Sequence, residues 1–506
     1  METATLYYCA VLFLVLLFAS KSFYRSNNSR LRCPPTGPIA LPIVGHLYLL
    51  RQPIHRTLSA ISARHGPLLL LRFGNRPVLL VSSPSIAEDC FTINDITFAN
   101  RPPLLFNKYF GYDFTTLGSS SYGPHWRNLR RIATLEIFSP ARIAAFSASR
   151  AADVCSLLRH LFSHGDKAEF RRVEMKSRFS ELTCNVAMQM IAGRRYYGAE
   201  ATVVAEEGWR FRRIIREAFV VSGSSSLEDF LPWVRWAGWN GTEKRMMVLA
   251  RKLDELFQEM VEERRKTRGR EEGKKTVIDV MLEMQEAEPN HYPDQIVKGI
   301  ILNLISASTD TSAGTMEWIM ALLLNHPEAL KKAKAEIDMH VGHARLMTEH
   351  DLRNLHYLQN VIKETLRLFP AAPLLVPHES SDQCTVQGYS VPRGTMLLVN
   401  VYAIQRDPQL WTNPLEFRPE RFDEGEREGY KNIPFGSGRR RCPGEGLAMR
   451  IMGLALGSLI QCFEWKRMGE EDVDMTEGLG LSMPKAKPLE ALYKPYGNMI
   501  DVLSQI

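Results

Sequence analysis

The amino-acid sequence predicts a mainly α-helical protein with small β-sheets, preceded by an N-terminal transmembrane helix. Residues 3–20 carry no charged side chain, and this is close to the length that crosses a bilayer as a helix. Residues 294–324 are apolar nearly all round at helical spacing, as in a helix buried deep in a domain. Residues 68–73 and 77–81 are apolar segments separated by Gly-Asn-Arg, which is typical of a β-hairpin.

Length and composition set the broad class. The chain has 506 residues, of which 45% are hydrophobic and 24% charged, as in ordinary globular proteins. The net charge of +7 suits a basic face that meets an acidic partner or lipid headgroups, and not dedicated nucleic-acid binding. No two of the eight cysteines lie within four positions of each other, so the sequence has no C-x-x-C zinc or redox motif. Scattered thiols are typical of a reducing compartment.

The N-terminal region predicts a membrane anchor and a hinge. Only Glu2 precedes the apolar stretch, whereas basic residues follow it at Lys21, Arg25, Arg30 and Arg32. The positive-inside rule therefore places the rest of the chain in the cytosol. A cleaved secretory signal is the alternative, but the sequence lacks a basic region before the apolar stretch. Prolines after residue 33 predict a stiff connector. We divide the chain into an anchor (1–21), a basic and proline-rich hinge (22–45) and a globular domain (46–506).

A single cysteine lies in an unusual loop near the C-terminal end. Cys442 stands between three arginines and a Pro-Gly pair in residues 434–444, and an apolar helical pattern follows over residues 447–460. A helix N-terminus favours negative charge, and cationic neighbours lower the pKa of a cysteine. From the residues alone, Cys442 is a nucleophile, a metal ligand or an ordinary loop thiol.

Two further patterns lie within predicted helices. Residues 306–312 place five hydroxyl groups and one carboxylate in the middle of the apolar helix, which is costly unless they are paired or functional. Asp310 and Thr311 form the centre of this group, and a kinked helix with satisfied hydroxyls is the alternative. Glu364 and Arg367 are three residues apart, which suits an ion pair on one helix face, although such pairs are common on protein surfaces.

Together these motifs resemble the cytochrome P450 family, in the expected order along the whole chain. Phe435-x-x-Gly438-x-Arg440-x-Cys442-x-Gly444 resembles its haem-binding signature. Four further stretches of the chain resemble other motifs of the family: Trp126-x-x-x-Arg130, residues 307–312, Glu364-x-x-Arg367 and residues 417–422. The anchor and hinge look like the microsomal form of the family. Residues 126–131 are similar to plant enzymes that hydroxylate isoflavones or close methylenedioxy bridges on lignans.

The resemblance implies a haem (iron protoporphyrin IX) held by the loop. The implied cofactor contacts are Trp126, Arg130, His378, Phe435, Arg440, Cys442 and Gly444. Cys442 would ligate the iron, because a thiolate ligand supplies electron density that favours O–O cleavage. Arg130 and Arg440 would pair with the haem propionates, with Trp126 and His378 assisting. His378 fits a purely structural role equally well.

The resemblance also implies roles for the two helical patterns. Asp310 and Thr311 would deliver protons during oxygen activation. Glu364, Arg367 and Arg421 would form a structural ion-pair network that holds the cysteine loop in place. The family usually has glycine where this chain has Ser308. The resemblance therefore does not predict how Ser308 affects the coupling of electron transfer to product formation, or the reaction outcome.

The implied function is a monooxygenase that activates dioxygen with electrons from NADPH through a membrane-bound cytochrome P450 reductase. Its expected location is the endoplasmic reticulum membrane, with a single span and a cytosolic catalytic domain. Arg127, Arg131 and Arg439 would form a basic docking face for the reductase, and complementary charge speeds such encounters; ordinary solvated arginines are the alternative. Two other classes stay open, namely a family member that rearranges its substrate without reductase and a non-catalytic haem protein that binds a ligand.

The expected substrate is a hydrophobic plant specialised metabolite. The resemblance implies a mainly apolar pocket built from residues 104–117, 302–307, 372–376 and 479–482, which suits binding by burial. Aromatic residues in its first segment, Phe106, Tyr109 and Phe110, favour a phenylpropanoid-derived scaffold such as a flavonoid, isoflavonoid or lignan. The alternatives are a terpenoid such as an abietane diterpenoid, and methylenedioxy-bridge formation in place of hydroxylation.

Overall fold

The fold is mainly α-helical with small sheets, as the sequence predicts. It is given by a computed structural model that describes residues 32–163, 167–198, 201–222, 227–235, 241–268, 274–423, 428–480 and 482–506. The predicted anchor and the first part of the hinge lie outside these ranges. Among the described residues, no helix is both long enough and apolar enough to span a membrane.

The α-helices build most of the structure. In chain order they are α1 (Ile54–His65), α2 (Pro84–Phe91), α3 (Leu105–Tyr109), α4 (Pro124–Ile132), α5 (Pro140–Ala145), α6 (Ser147–Ser163), α7 (Met175–Ala192), α8 (Ala205–Ser222), α9 (Gly241–Thr267), α10 (Val277–Ala287), α11 (Asp294–Ser308), α12 (Asp310–Asn325), α13 (Pro327–His340), α14 (His356–Leu368), α15 (Val401–Ile404), α16 (Glu445–Cys462) and α17 (Ile500–Ser504). One cluster of buried apolar side chains joins α12 to α6, α7, α14 and α16.

The strands form three small sheets within the described residues. They are β1 (Leu68–Phe73), β2 (Arg76–Val81), β3 (Arg171–Glu174), β4 (His378–Glu379), β5 (Cys384–Val386), β6 (Tyr389–Val391), β7 (Met396–Val399), β8 (Phe463–Lys466) and β9 (Glu490–Pro495). The orders are β1-β2-β7-β4, β3-β9-β8 and the hairpin β5-β6. In the first sheet, β2 runs antiparallel to β1 and parallel to β7.

The predicted hairpin is present, with its second strand starting one residue earlier, at Arg76. Gly74 has a φ of +56°, and a Cβ there would lie 2.0 Å from the carbonyl oxygen of Phe230, so the turn requires glycine. The turn also binds two distant segments, because Gly74 N donates to Val44 O at 3.0 Å and Asn75 N donates to Phe230 O at 3.0 Å. The hinge and the segment around residue 230 therefore meet at this end of the molecule.

The long apolar helix is broken in its middle, where the sequence predicts one continuous element. Thr309, with φ −83° and ψ −65°, separates α11 from α12. The hydroxyls of Ser306, Ser308, Thr309 and Thr311 each donate to the carbonyl four residues earlier, at 2.6–2.8 Å, and such bonds bend helices. Thr183 Oγ1 on α7 donates to Thr309 O at 3.1 Å. The break is therefore stabilised by a neighbouring helix.

Glu364 and Arg367 form a fully buried ion pair on α14, and not the surface pair that their spacing commonly gives. Both side chains are 0% exposed, and Glu364 accepts from Arg367 at 2.7 Å and from Arg421 at 2.9 Å. Arg367 also donates to the carbonyls of Gln405 and Pro414, each at 2.7 Å. The network therefore satisfies carbonyls of the irregular chain that leads to the cysteine loop.

We predict that Glu364→Ala lowers the free energy of unfolding by about 3–5 kcal/mol, because it leaves two buried guanidinium groups without their carboxylate. Denaturant unfolding of the full-length protein measures this loss. The control is Glu328→Ala, which breaks an exposed pair with Lys331 at the same helical spacing and should change stability little. Equal losses in both variants would contradict the structural role of the network.

Candidate active site

The cysteine loop adopts a conformation that its glycines permit. Gly436 and Gly438 have φ values of +71° and +66°. A Cβ at Gly438 would lie 2.5 Å from Asp95 Oδ1, and the same oxygen accepts from Arg439 N at 3.1 Å. Cys442 N donates to Phe435 O at 3.0 Å, which closes the loop directly before α16. Asp95 was not predicted from the sequence, although its carboxylate holds the turn of this loop.

The thiol of Cys442 faces the N-terminus of α16. Burial raises its pKa, while backbone N–H groups of Gly444 and Glu445 and the nearby Arg130 act in the opposite direction. Of the cationic neighbours, Arg130 lowers this pKa as expected, and burial outweighs it. The loop arginines Arg439 and Arg441 pair with carboxylates instead, Arg439 with Asp95 at 3.3 Å and Arg441 with Glu445 at 2.8 Å. A metal ion coordinated by the thiol would deprotonate it outright.

The other two loop residues named from the sequence lie beside the thiol. Phe435 is partly buried and packs against the cluster that contains α16. Gly444 is the residue before α16, and a Cβ there would lie 3.6 Å from the Phe138 ring and 3.9 Å from Cys442 Sγ. These are ordinary van der Waals distances, so Gly444 lies in direct contact range of the sulfur.

Arg440 and Arg130 bind main-chain carbonyls around the loop. Arg440 donates to Ala99 O at 2.7 Å and Leu117 O at 3.2 Å, and its guanidinium lies 4.3 Å from the centre of the Trp126 ring. The Trp126 indole donates to Leu117 O at 3.1 Å. Arg130 donates to Arg441 O at 2.8 Å. The structure thus brings together three of the residues that the sequence named for cofactor binding.

A third arginine, Arg101, belongs to the same cluster and was missed from the sequence. Arg101 donates to Val376 O at 2.8 Å and to Pro377 O at 2.7 Å, and its Nε is buried without a hydrogen-bond partner. It lies in an irregular passage that offers no motif spacing. Burial and the charges of Arg101 and Arg130 lower the pKa of Arg440 to about 8, and burial lowers that of Arg101 to about 10.

These arginines fit the carboxylates of a haem. Within the described part of the chain, none of Arg101, Arg130 and Arg440 forms an ion pair with an acidic side chain, and unpaired cations in a partly buried site are unfavourable. Propionate groups would supply the missing negative charge as charge-assisted hydrogen bonds. Cys442, at a helix N-terminus next to this cluster, would supply the iron ligand.

His378 is placed beside the cluster and is held neutral. Its Nδ1 lies 2.8 Å from Phe98 O, so Nδ1 carries the proton in the neutral ring and Nε2 is left as an acceptor. Burial, with Arg101 and Arg440 nearby, holds its pKa well below the usual value. A carboxylate next to Nε2 would favour the protonated form and allow donation to that carboxylate.

Asp310 and Thr311 lie directly after the helix break. The Ser482 hydroxyl donates to Asp310 Oδ2, which ties the acid to the turn before β9. Thr311 Oγ1 donates to Ala307 O at 2.6 Å. Ser308 Oγ donates to Leu304 O at 2.6 Å, so its hydroxyl is engaged within the helix. Of the predicted pocket segments, the turn at residues 479–482 is described except for residue 481.

A cysteine at a helix N-terminus, an unpaired arginine cluster and a broken helix with an acid–hydroxyl pair define a haem-thiolate protein. The chain matches the family model for Cytochrome P450 over residues 34–490, and it belongs to the cytochrome P450 family. Family members bind haem as their cofactor, so the predicted cofactor is confirmed.

Three plant relatives align over nearly the full length. Cytochrome P450 81Q32 of Catharanthus roseus is 50% identical over 100% of both chains. A (+)-piperitol/(+)-sesamin synthase of Sesamum radiatum is 47% identical over 97% of this chain and 98% of its own. An isoflavone 3'-hydroxylase of Medicago truncatula is 45% identical over 97% of this chain and 98% of its own. The predicted monooxygenase class is confirmed, and enzymes of this family act on small hydrophobic substrates.

We expect Cys442→Ala to abolish the thiolate-type band in the carbon-monoxide difference spectrum of the reduced protein, because no sulfur ligand remains at the iron. The matched control is Cys33→Ala, which removes an exposed cysteine elsewhere in the chain and should keep the band. A thiolate-type band in Cys442→Ala would overturn the assignment.

Adjacent arginines of the loop should differ in haem retention. Arg440→Gln should weaken haem binding by about ten-fold or more, since a hydrogen bond to a charged group contributes about 1.5–3 kcal/mol. Arg439→Gln should leave it unchanged, because Arg439 pairs with Asp95. Transfer of haem to an excess of apomyoglobin measures both rates. Equal haem loss from the two variants would refute the division of roles between them.

Proposed function

We propose that the protein hydroxylates a hydrophobic, phenylpropanoid-derived plant metabolite of the isoflavonoid or lignan class. The observation that carries this proposal is the end-to-end similarity to relatives named isoflavone hydroxylases and a piperitol/sesamin synthase. Closure of a methylenedioxy bridge is the second candidate, and the sesame relative favours it. Both reactions act on aromatic scaffolds and differ in how the oxidised substrate is placed.

The aromatic character of the substrate-facing region supports this substrate class. The rings of Phe106 and Phe110 stack with centroids 4.9 Å apart, and both pack in the cluster that contains Leu302 and Ile305 of α11. The Tyr109 hydroxyl donates to Glu243 Oε1 at 2.6 Å, which fixes α3 against α9. A planar aromatic substrate would gain offset-stacking contacts from such a surface.

The residues around the haem position it and tune it. Haem, once bound, supplies the oxygen chemistry, and the Cys442 thiolate gives its iron the electron density that favours O–O cleavage. Arg101, Arg130 and Arg440 would hold the propionates, and Trp126 and His378 would support them. Phe435 would shield the sulfur, and Gly444 would contribute a backbone N–H group beside it.

Asp310 and Thr311 would handle protons for the reaction. The Thr311 hydroxyl donates within the helix, so its oxygen lone pair is available to accept a hydrogen bond from a water. The Asp310 side chain accepts a hydrogen bond from Ser482 and lies five residues after the apolar Ile305 of α11. Together they keep a proton source next to a site from which the apolar substrate excludes bulk water.

Electrons arrive from NADPH through a membrane-bound cytochrome P450 reductase at the face beside α4. Arg127 and Arg131 are exposed there, and Arg131 donates to the neutral Asn128 at 2.9 Å. Arg439 contributes less, because Asp95 partly neutralises it. An acidic partner surface would be attracted to this face in a salt-dependent way.

The chain is anchored in the endoplasmic reticulum membrane, with its catalytic domain in the cytosol. Apolar residues in the proline-rich part of the hinge are exposed, with Ile39 at 81% and Ile43 at 61%. Leu227 and Trp233 are exposed as well, at 55% and 48%, in the segment that the β1–β2 turn binds together with the hinge. An exposed apolar surface of this kind suits contact with the bilayer.

A substrate panel tests the proposal. Full-length protein with plant reductase and NADPH should convert an isoflavone or a lignan, and product should be absent without NADPH because the reaction needs external electrons. Mass spectrometry separates hydroxylation, which adds one oxygen, from bridge closure, which removes two hydrogens. Conversion of an abietane diterpenoid alone would replace the proposed substrate class, and product without NADPH would defeat the monooxygenase mechanism.

Asp310→Asn should lower product formed per NADPH oxidised by about 100-fold, the usual contribution of a positioned acid or base. Reductase-driven NADPH oxidation should continue and yield hydrogen peroxide, measured in the same assay. Asp382→Asn, a change in an exposed loop carboxylate, is the control. Unchanged coupling in Asp310→Asn would remove Asp310 from the proton path.

A further inference from the structure

A small cavity with both polar and apolar lining residues lies beside α12. Its walls come from α7, from the helix on both sides of Gly314 and from the turn before β9. Its polar lining consists of Lys176, Ser180, Asp310, Thr311, Thr315, Glu317 and Ser482. The space suits about one ordered water molecule, and such sites are occupied where several polar groups converge.

Glu317 is the buried carboxylate of this cavity. It is 0% exposed, and its Oε1 accepts from Leu489 N at 2.8 Å. Its Oε2 is buried and has no hydrogen-bond partner among the described residues. A buried carboxylate oxygen without a partner is unfavourable, so this atom requires a partner that protein groups do not supply.

The charged groups around Glu317 come from three elements. Burial raises its pKa, Glu174 before α7 acts in the same direction, and Lys176 and Lys485 act in the opposite direction. Lys485 donates to Asp474 O and lies over the Trp318 ring. Lys176 lines the cavity itself and is half-exposed, so it links the cavity to solvent. The remaining acid of the cavity, Asp310, is bonded to Ser482.

We propose that Glu317 is a proton-relay residue for the reaction, linked through water in this cavity to Asp310 and Ser482. The proposal rests on the proposed function of Asp310. One proton leaves Glu317 Oε2 for the cavity water, which passes a proton on to the Asp310 carboxylate. Glu317 then regains one proton from solvent at the opening beside Lys176. Asp310 releases its proton to the reaction, so every group returns to its starting state and one solvent proton is consumed for each proton delivered.

This arrangement gives proton delivery a direction. Leu302 and Ile305 of α11 lie in the apolar cluster with Phe110, whereas the cavity lies between α12 and α7. Protons therefore reach Asp310 without passing the substrate. If Glu317 served only to accept the hydrogen bond from Leu489 N, its second carboxylate oxygen would not be needed. A glutamine at this position would accept that bond equally well.

The test uses Glu317→Gln in the full-length holoenzyme, which keeps the Oε1 acceptor and removes the transferable proton. We expect product per NADPH to fall by about ten-fold, less than for a group that contacts the reacting atoms. The raised pKa means that wild-type Glu317 carries its proton into a higher pH range than an ordinary glutamate. Coupling in the wild type should therefore decline as pH rises through that pKa, and Glu317→Gln should remove this decline and change the solvent isotope effect.

Infrared spectroscopy supplies a readout that does not depend on turnover. The wild type should show a protonated-carboxyl band that shifts in D₂O and titrates with pH, and Glu317→Gln should lack it. Glu336→Gln is the matched control, because Glu336 also accepts backbone N–H bonds, from Tyr357 at 2.7 Å and Leu358 at 3.0 Å, away from this cavity. It should keep both the band and the pH profile.

The outcomes separate the relay from the function on which it rests. Loss of coupling in Asp310→Asn with an unchanged pH profile and isotope effect in Glu317→Gln overturns the relay alone. Unchanged coupling in Asp310→Asn overturns the role of Asp310 and the relay together. If Glu317→Gln does not fold with haem, Lys176→Met replaces it, since it removes the charge at the solvent opening; an unchanged solvent isotope effect in that variant also overturns the relay.

Discussion

The buried ion pair between Glu364 and Arg367 is the interaction on which the thiolate side of the molecule depends. The chain between α15 and the cysteine loop is largely irregular, so its carbonyls lack sheet or helix partners. Arg367 and Arg421 satisfy several of them, and Glu364 accepts hydrogen bonds from both guanidinium groups. Removing one member of this buried charge network would leave the other charged side chains without a partner, which is strongly unfavourable. The loop that presents Cys442 follows directly from this fixed segment.

The arginines around the site fall into two groups. Those paired with a carboxylate of the protein have a structural role, and those without such a partner are the ones that we propose bind the ligand. Arg367 and Arg421 are paired inside the protein, and Arg439 and Arg441 are paired at its surface. Arg101, Arg130 and Arg440 instead donate to main-chain carbonyls, and each has its pKa lowered chiefly by burial. The same residue type therefore serves two purposes, and the presence of an acidic partner separates them. An anionic ligand completes the second group.

Sequence reasoning was strongest where function requires a fixed local spacing. The cysteine loop, the i, i+3 pair on α14 and the hydroxyl-rich centre of α11 and α12 are local patterns, and the helical class follows from periodicity. It failed where partners are remote in the chain. Asp95 contacts Arg439 across 344 positions, and Arg101 lies in a passage without periodicity.

The break at Thr309 gives the two faces of one helix different chemistry. Hydroxyl side chains that bond back to the helix weaken its regular ladder, and Thr183 holds the resulting bend from α7. Before the break, α11 presents apolar residues to the aromatic cluster with Phe110. After it, Asp310 turns to Ser482 and the carboxylate of Glu317 follows two turns later. A continuous apolar helix would bury the substrate equally well, but it would leave no polar route for protons. Packing alone would favour apolar residues at the polar centre of this helix, which is consistent with the proton-handling role that we propose for it.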